Sequence, residues 1–386
     1  MGAGSTFLLL SLAGFAIGAN LRVTDPLLPT LAVEFGTTIG AAAIVATVFS
    51  LAHGLLQLVY GPLGDRVGKL RVVAFAALAS AVISLATTFA SSLGSLATLR
   101  LFCGFATAAI VPLTMAFVGD TTTYQERHAA LARYTGTVMI GLIGGQVLGG
   151  IVADFLGWRA VFYFIAVAFA VAGVGLLLSP AIHAHTPKDP STNGYAQMFA
   201  LFRRPHVRHV LAAVCIQGAV SFTTAAFIGA HLHDHFGFSL GGIGLMLGLF
   251  ATGGLIYTFM TARIMGRLGE RGALAVGGVL FSACFLVLAA AWDWRAFIPA
   301  LLLAGIGLMM VHNTYQVYAT QMAPESRGAA LSLFAAMIFL GQTVGFGAAS
   351  LVYDRWGAVP ILVTSAICFP IVAFAFRSTI AKPSQA

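Results

Sequence analysis

Between Ala41 and Tyr60, and again between Val72 and Ala90, the chain runs without an Asp, Glu, Lys or Arg. Each run is about 20 residues, the length an α-helix needs to cross a bilayer. Between them lies Gly61-Pro62-Leu63-Gly64-Asp65-Arg66-Val67-Gly68-Lys69-Leu70-Arg71, with four charged residues in a chain that has only 20 Lys and Arg and 12 Asp and Glu. Three Gly and a Pro disfavour helix, and the charges forbid burial in hydrocarbon, so the stretch is expected to be a tight charged turn. The alternation recurs along the chain. Twelve apolar runs fall at about 7–33, 40–60, 72–91, 95–118, 130–154, 159–179, 208–231, 240–262, 272–291, 296–318, 328–352 and 358–377. Hydrocarbon supplies no hydrogen-bond partner, so such runs must be helices.

Composition agrees. Hydrophobic residues make up 59% of the 386, charged residues only 8%, and the mean hydropathy is +0.94. A soluble domain carries about 25% charged residues. The expected fold is an all-α polytopic membrane protein. The net charge of +8 comes without a basic run or an aromatic-basic module, so no nucleic-acid partner is expected. Cys103, Cys215, Cys284 and Cys368 all lie in apolar runs at no metal-like spacing and read as small buried hydrophobes. Met1–Ala19 lacks a basic leader region and is read as part of the first span rather than a cleaved signal.

Charge asymmetry predicts orientation. With the N-terminus cytoplasmic, fifteen of the twenty Lys and Arg fall at the cytoplasmic side, three (Arg159, Arg295, Arg355) fall outside, and Arg22 and Arg100 lie within spans. Both termini are therefore expected inside. The polar interval Pro180–His206 holds four prolines and separates six spans from six. The domain reading is 1–179, an N-terminal six-helix bundle; 180–206, a cytoplasmic linker; 207–377, a C-terminal six-helix bundle; and 378–386, a cytoplasmic tail. Residues 200 apart match: Arg127 and Arg327, Gly141 and Gly341, Gly145 and Gly345, Asp154 and Asp354, Gly157 and Gly357. Arg66 and Gly68 recur one residue later, at Arg267 and Gly269. The twelve transmembrane helices are thus expected to form two pseudo-symmetric bundles.

The order G-x-L-x-D-R-x-G-[KR]-x-[KR], from Gly61 to Arg71, resembles the loop signature of the major facilitator superfamily of secondary transporters, most closely its twelve-span drug:proton antiporters. The resemblance covers about 7–377. It implies a solute site between the halves, lined by spans one, four, seven and ten, and alternating access. It also implies a gating loop of Gly61, Leu63, Asp65, Arg66, Gly68, Lys69 and Arg71, in which Asp65 and Arg66 latch the halves in one state; the other reading is a solvated turn that sets topology. In the second copy Gly266 stands where Asp65 would be, so the latch is one-sided.

Further motifs add to the resemblance. Arg100 followed by Gly104 looks like the family's span-four motif; the alternative is an Arg reaching to the outer surface. Gly141, Gly145, Gly149 and Gly150 resemble the span-five glycine motif of antiporters, with Gln146 in place of its proline. Glycines at that spacing let helices approach closely, which ordinary packing also uses.

In span one, Arg22-Val23-Thr24-Asp25-Pro26-Leu27-Leu28-Pro29 puts two charges and two helix-breaking prolines inside the membrane. By helical rise Asp25 lies about 12 Å, and Arg100 about 8 Å, below the outer surface, close enough in depth to pair. Asp25 is the first choice for proton binding, tuned by Arg22 and Arg100; a static ion pair is the alternative. His312 is the second choice. Gln146, Gln217 and Asn313 are expected in the cavity, with His53 and Gln342 as further polar groups that serve either the cavity or interhelical hydrogen bonds. Asp154, Trp158, Asp354 and Trp356 read as interfacial anchors.

No phosphate loop, carboxylate pair, metal spacing or nucleophile motif appears, so the chain is expected not to be an enzyme. The expectation is proton-coupled efflux of small hydrophobic molecules from a multi-pass protein of the inner membrane. It would work as a monomer, with the proton gradient as energy source and no cofactor; its partners would be a small-molecule substrate and the lipid bilayer. The alternatives are a carrier of anionic metabolites and a non-transporting sensor on the same fold.

Overall fold

The protein is described by a computed structural model covering residues 3–183, 200–323 and 327–380. Those residues form helices, turns and bends and hold no strand. Eleven helices are long and apolar enough to cross a membrane. One of them, Leu240–Ala290, has 51 residues and turns at Gly269, with φ 60° and ψ 179°. At 1.5 Å per residue it is about 76 Å long, more than two bilayer cores, so it supplies spans eight and nine. Twelve spans result, as expected. The stretch 184–199, most of the expected linker, lies outside the described residues, as does 381–386 in the expected tail.

Helices alternate in direction, so two ends can be named by the chain. The near end holds the turn after span two; the far end is opposite. The near-end turn differs from expectation. The helix Ile44–Val67 runs through Gly61, Pro62 and Asp65, and the reversal is confined to Gly68, at φ 108°, before Lys69–Thr87 begins. The cost of a proline in a helix, a lost hydrogen bond and a clash with the preceding turn, is local and bends rather than reverses the chain, whereas the reversal here uses positive φ, which glycine adopts freely. The side chains of Gly61, Pro62 and Asp65 lie outside the described residues, and the Asp65 latch with them. Arg66 is exposed. Lys69 pairs with Asp120 of span four, within its own half, and Arg71 donates to the carbonyl of Ile182 at 3.2 Å.

The internal repeat is visible in the backbone. Among the described residues, the positive-φ glycines are Gly36, Gly68, Gly157, Gly237, Gly269 and Gly357. They form three pairs, Gly36 with Gly237, Gly68 with Gly269, and Gly157 with Gly357, each about one 200-residue repeat apart. Packing repeats as well. Gly141 and Gly145 of span five close on the backbone of Phe15 and Ala19 in span one. Gly341 and Gly345 of span eleven close on Cys215 and Ala219 in span seven, the positions 200 residues on.

Within the four-glycine motif of span five the roles divide. Gly141 and Gly145 seat span one, Gly149 faces Val23, and Gly150 meets the backbone of Leu240 in the other half. A side chain at any of the backbone contacts would hold the helices apart.

The far end joins the halves. Asp154, at the end of span five, accepts from the backbone N–H of Leu240 at 2.9 Å and of Gly241 at 2.7 Å. Asp354, at the end of span eleven, accepts from the N–H of Gly40 at 2.8 Å and the hydroxyl of Thr38 at 2.7 Å. Each carboxylate caps the first turn of a helix in the opposite half, where free N–H groups and the helix dipole favour a negative charge. The expectation that these aspartates are interfacial anchors is corrected: they are cross-half caps. Trp158, expected in the aromatic belt, is 2% exposed and packs on Phe162 and Phe35. Trp356 is exposed.

Toward the near end, Arg133 of span five and Phe259, Arg263 and Arg267 of span eight are exposed.

Candidate functional site

Span one is a helix from Ala3 to Arg22, then loses its regular ladder until Leu28–Glu34. Pro26 has no N–H to give, and Pro29 sits in the first turn of the second piece, where none is needed. The intervening bonds shorten to the three-residue kind, Asp25 N–H to Arg22 carbonyl and Leu27 N–H to Thr24 carbonyl, both 3.1 Å. The break turns Asp25 inward. It is 1% exposed. Its Oδ2 accepts from Gln146 Nε2 at 3.4 Å and lies 3.7 Å from Arg22 Nη1.

Arg22 reaches across to the other half. Its Nη1 donates to the carbonyl of Phe222 at 3.4 Å, and the guanidinium covers the Phe222 ring at 4.8 Å. Phe222 closes a π-helical stretch, Gly218–Phe222, inside span seven. Such a widened turn leaves a carbonyl without its usual helical partner, and these stretches occur often at functional sites.

Between the halves lies a cavity of about 210 Å³, walled by spans one, five, seven, eight, ten and eleven. Span four is not among them, so the expected set of one, four, seven and ten is corrected. Most of the wall is apolar, including Phe222, Phe250, Met139, Met309 and Ile338. Its polar members are Arg22, Gln146, His312 and Gln342. Gln217 stands behind the wall, 1% exposed, with its Oε1 3.4 Å from His312 Nδ1. Asn313 points to the hydroxyl of Tyr257 at 3.4 Å and is not a lining residue. Gln342 accepts from Ser50 at 3.3 Å across the halves. His53 is 2% exposed, 3.1 Å from the Thr107 hydroxyl and edge-on to Phe339.

Arg100 does something other than pair with Asp25. Its Nη1 donates to Asn20 Oδ1 at 2.6 Å and its Nη2 to the Asn20 carbonyl at 3.1 Å. The guanidinium also lies 4.1 Å from the Phe49 ring centre and 5.7 Å from that of Phe162. It is 1% exposed, so the alternative of an Arg reaching to the outer surface does not describe it. The fork grips span one at Asn20, two residues before the helix ends. Depth alone suggested Asp25 as its partner, because depth does not tell which face of span one Arg100 meets. Asn20, 0% exposed, was a missed residue; its signal was a lone amide among apolar residues.

Comparison with known proteins agrees with this architecture. A relative from Bacillus subtilis, the MFS-type transporter YceJ, is 23% identical over 96% of this chain and 95% of its own. A bicyclomycin resistance protein homologue of Haemophilus influenzae is 26% identical over 86% of this chain and 85% of its own. The multidrug export protein EmrB of Escherichia coli is 30% identical over 44% of this chain and 33% of its own. Among solved structures, the nucleoside transporter NupG matches with a TM-score of 0.78 at 15% identity, over 97% of this chain and 99% of its own. An inward-facing, unoccupied bacterial homologue of the lysosomal transporter Spinster matches at 0.74 and 14%, over the full length of both. The family model described as Major Facilitator Superfamily matches residues 10–346 and 210–385. With a repeat of six spans, a cavity between the repeats and that match, this chain belongs to the Major Facilitator Superfamily of membrane transporters.

Proposed function

We propose that the chain is a proton-coupled exporter of small, largely apolar molecules, working by alternating access of its two halves. The observation that carries this reading is Asp25. It is a carboxylate in the broken part of span one, directly behind the cavity wall, and its two polar contacts are long, 3.4 Å to Gln146 and 3.7 Å to Arg22. An ionisable group inside a membrane is retained at a cost, and proton relays are one use of it. Loose contacts let Asp25 exchange a proton without breaking a tight bidentate pair.

The apolar wall suits apolar solutes, which bind by burying surface rather than by many directed bonds. Two relatives whose names state drug resistance or multidrug export support the export direction. On this reading the termini are cytoplasmic, the far end is the outer face, and Asp154 and Asp354 hold the outer face shut in the state described. Arg22 adjusts Asp25 directly. Arg100 acts one step away, through its hold on Asn20.

The test uses everted membrane vesicles with an imposed pH gradient and a fluorescent proton reporter, wild type beside Asp25→Asn, against neutral, cationic and anionic solutes. A solute that collapses the gradient in wild type but not in the variant supports the reading. A response that persists unchanged in Asp25→Asn removes Asp25 as the proton carrier.

A further inference from the structure

We infer that the cavity selects mainly apolar solutes bearing one anionic group, a carboxylate or its equivalent, and that Arg22 receives that group. The inference rests on the transport reading above and names its substrate class. Among the described residues that line the cavity, Arg22 is the formally charged one, and none is an Asp or Glu. Asp25 is 1% exposed, and its carboxylate is turned toward Gln146 and Arg22 behind the wall. A cationic solute would meet the guanidinium first, because its counter-charge, Asp25, lies 3.7 Å away on the side turned from the cavity. In a low-dielectric site that repulsion is a means of rejection as well as a failure to attract.

The donors are also arranged for an anion. Both described polar contacts of Arg22, to Phe222 and to Asp25, use Nη1. Its Nε and Nη2 hydrogens remain for a ligand, and a guanidinium presents them as a planar fork that matches a carboxylate. The Phe222 ring beneath it, 4.8 Å from the guanidinium carbon, holds the fork's plane. Across the cavity, the carboxamide oxygen of Gln342 is occupied by the Ser50 hydroxyl at 3.3 Å, so its amide hydrogens are the group left to face a solute. Phe250, Met139 and Met309 supply the surface for an aromatic or aliphatic body. Methionine adapts its shape, so the body can vary while the charged group does not.

A charge-matched series tests this on the purified full chain by calorimetry: 1-naphthoate, 1-naphthamide and 1-naphthylmethylammonium. The three share a ring system and differ in charge. In wild type, naphthoate should bind at least about ten-fold tighter than the ammonium, with the amide between. Arg22→Gln should erase the naphthoate preference while the amide still binds. Arg22→Lys keeps the charge without the fork and should cost naphthoate about three-fold. Equal binding of the ammonium in wild type overturns the inference, as does an anion preference that survives Arg22→Gln. If Arg22→Gln does not fold, Arg22→Lys decides, and unchanged naphthoate affinity there overturns the role of the fork.

The same probes in everted vesicles separate this inference from the transport reading. Naphthoate that binds through Arg22 but never moves the pH gradient leaves the selectivity and removes proton coupling. Ammonium that moves the gradient beyond its passive effect in vesicles lacking the protein, and independently of Arg22, removes the selectivity and leaves the coupling.

Discussion

Arg22 and Phe222 lie 200 residues apart, about one repeat, and they touch across the halves: guanidinium to carbonyl at 3.4 Å, guanidinium over ring at 4.8 Å. The repeat's offset changes from 200 to 201 residues across this stretch, between Ala19 with Ala219 and Gly36 with Gly237, and the π-helical Gly218–Phe222 lies within it. A charge in one half thus meets an aromatic ring in the other where the halves differ. The cavity is built around that difference, with Arg22 and Phe222 both in its wall. Elsewhere the halves remain alike, and their likeness yields tests that do not depend on the identity of the solute.

The far-end caps are the first. Asp154→Asn and Asp354→Asn each replace a charge-assisted cap by a neutral one. Hydrogen bonds to charged groups contribute about 1.5–3 kcal/mol and dipole contacts about 0.3–1 kcal/mol, so each variant should weaken far-end closure by about 1–2 kcal/mol. Hydrogen exchange of the backbone N–H of Leu240 and Gly241, or of Gly40, should then speed up about 5–30-fold. Each variant should loosen its own helix start most, and the double variant should loosen both. Unchanged exchange in both variants would mean the aspartates do not hold the halves.

The glycine faces are the second. A Cβ on Gly145 would collide with the backbone of Ala19, and one on Gly345 with that of Ala219, so neither neighbour can move aside as a side chain could. Gly145→Ala and Gly345→Ala should each cost about 1–3 kcal/mol, the usual cost of overpacking. Gly347→Ala, inside a helix with nothing near its Cβ position, is the matched control and should hold or raise the melting of the detergent-solubilised protein. Equal melting for all three would show that the close approach is not needed.

Arg100 is the third. Arg100→Lys cannot reach both the side chain and the carbonyl of Asn20 with one ammonium, and Asn20→Ala strips the side-chain acceptor. Each should destabilise the protein by about 1.5–3 kcal/mol, the range for a hydrogen bond to a charged group. In contrast, Glu34→Gln breaks an ion pair with Arg159 whose side chains are 38% and 41% exposed, and should cost less than about 1 kcal/mol. Thermal melting of the four proteins, wild type included, checks the ranking; a larger loss at Glu34 than at Asn20 would reverse it.

The near-end turns are the fourth. Gly68→Ala and Gly269→Ala place a Cβ on backbones at φ 108° and φ 60°. Strained backbone of this kind costs about 1–3 kcal/mol per residue. Both should lower the melting temperature, and by similar amounts, because both sit at the same reversal of the repeat. A change at one and not the other would show that the two turns carry different loads.

How much of this could be read along the chain follows from what each property depends on. Twelve spans, the helical class and the 200-residue repeat rest on local composition and on residues that recur in order, such as Gly68 with Gly269 and Gly157 with Gly357. Hydrocarbon makes composition decisive, because an apolar run of membrane length has one way to satisfy its backbone. The break in span one was legible for a similar reason, since Pro26 and Pro29 act on their own neighbours. The turn at Gly61–Arg71 was misjudged because the local cost of Pro62 and the glycines did not end the helix, which runs on to Val67 and reverses only at Gly68. Which face of a helix meets which partner is set by rotation and packing, and helical periodicity was uninformative where nearly every residue is apolar. Only the folded molecule therefore decided that Arg100 grips Asn20, that Gln217 stands behind His312, and that Asp154 and Asp354 cross between the halves. Those contacts join residues far apart in sequence, and their geometry exists only once the two halves are packed together.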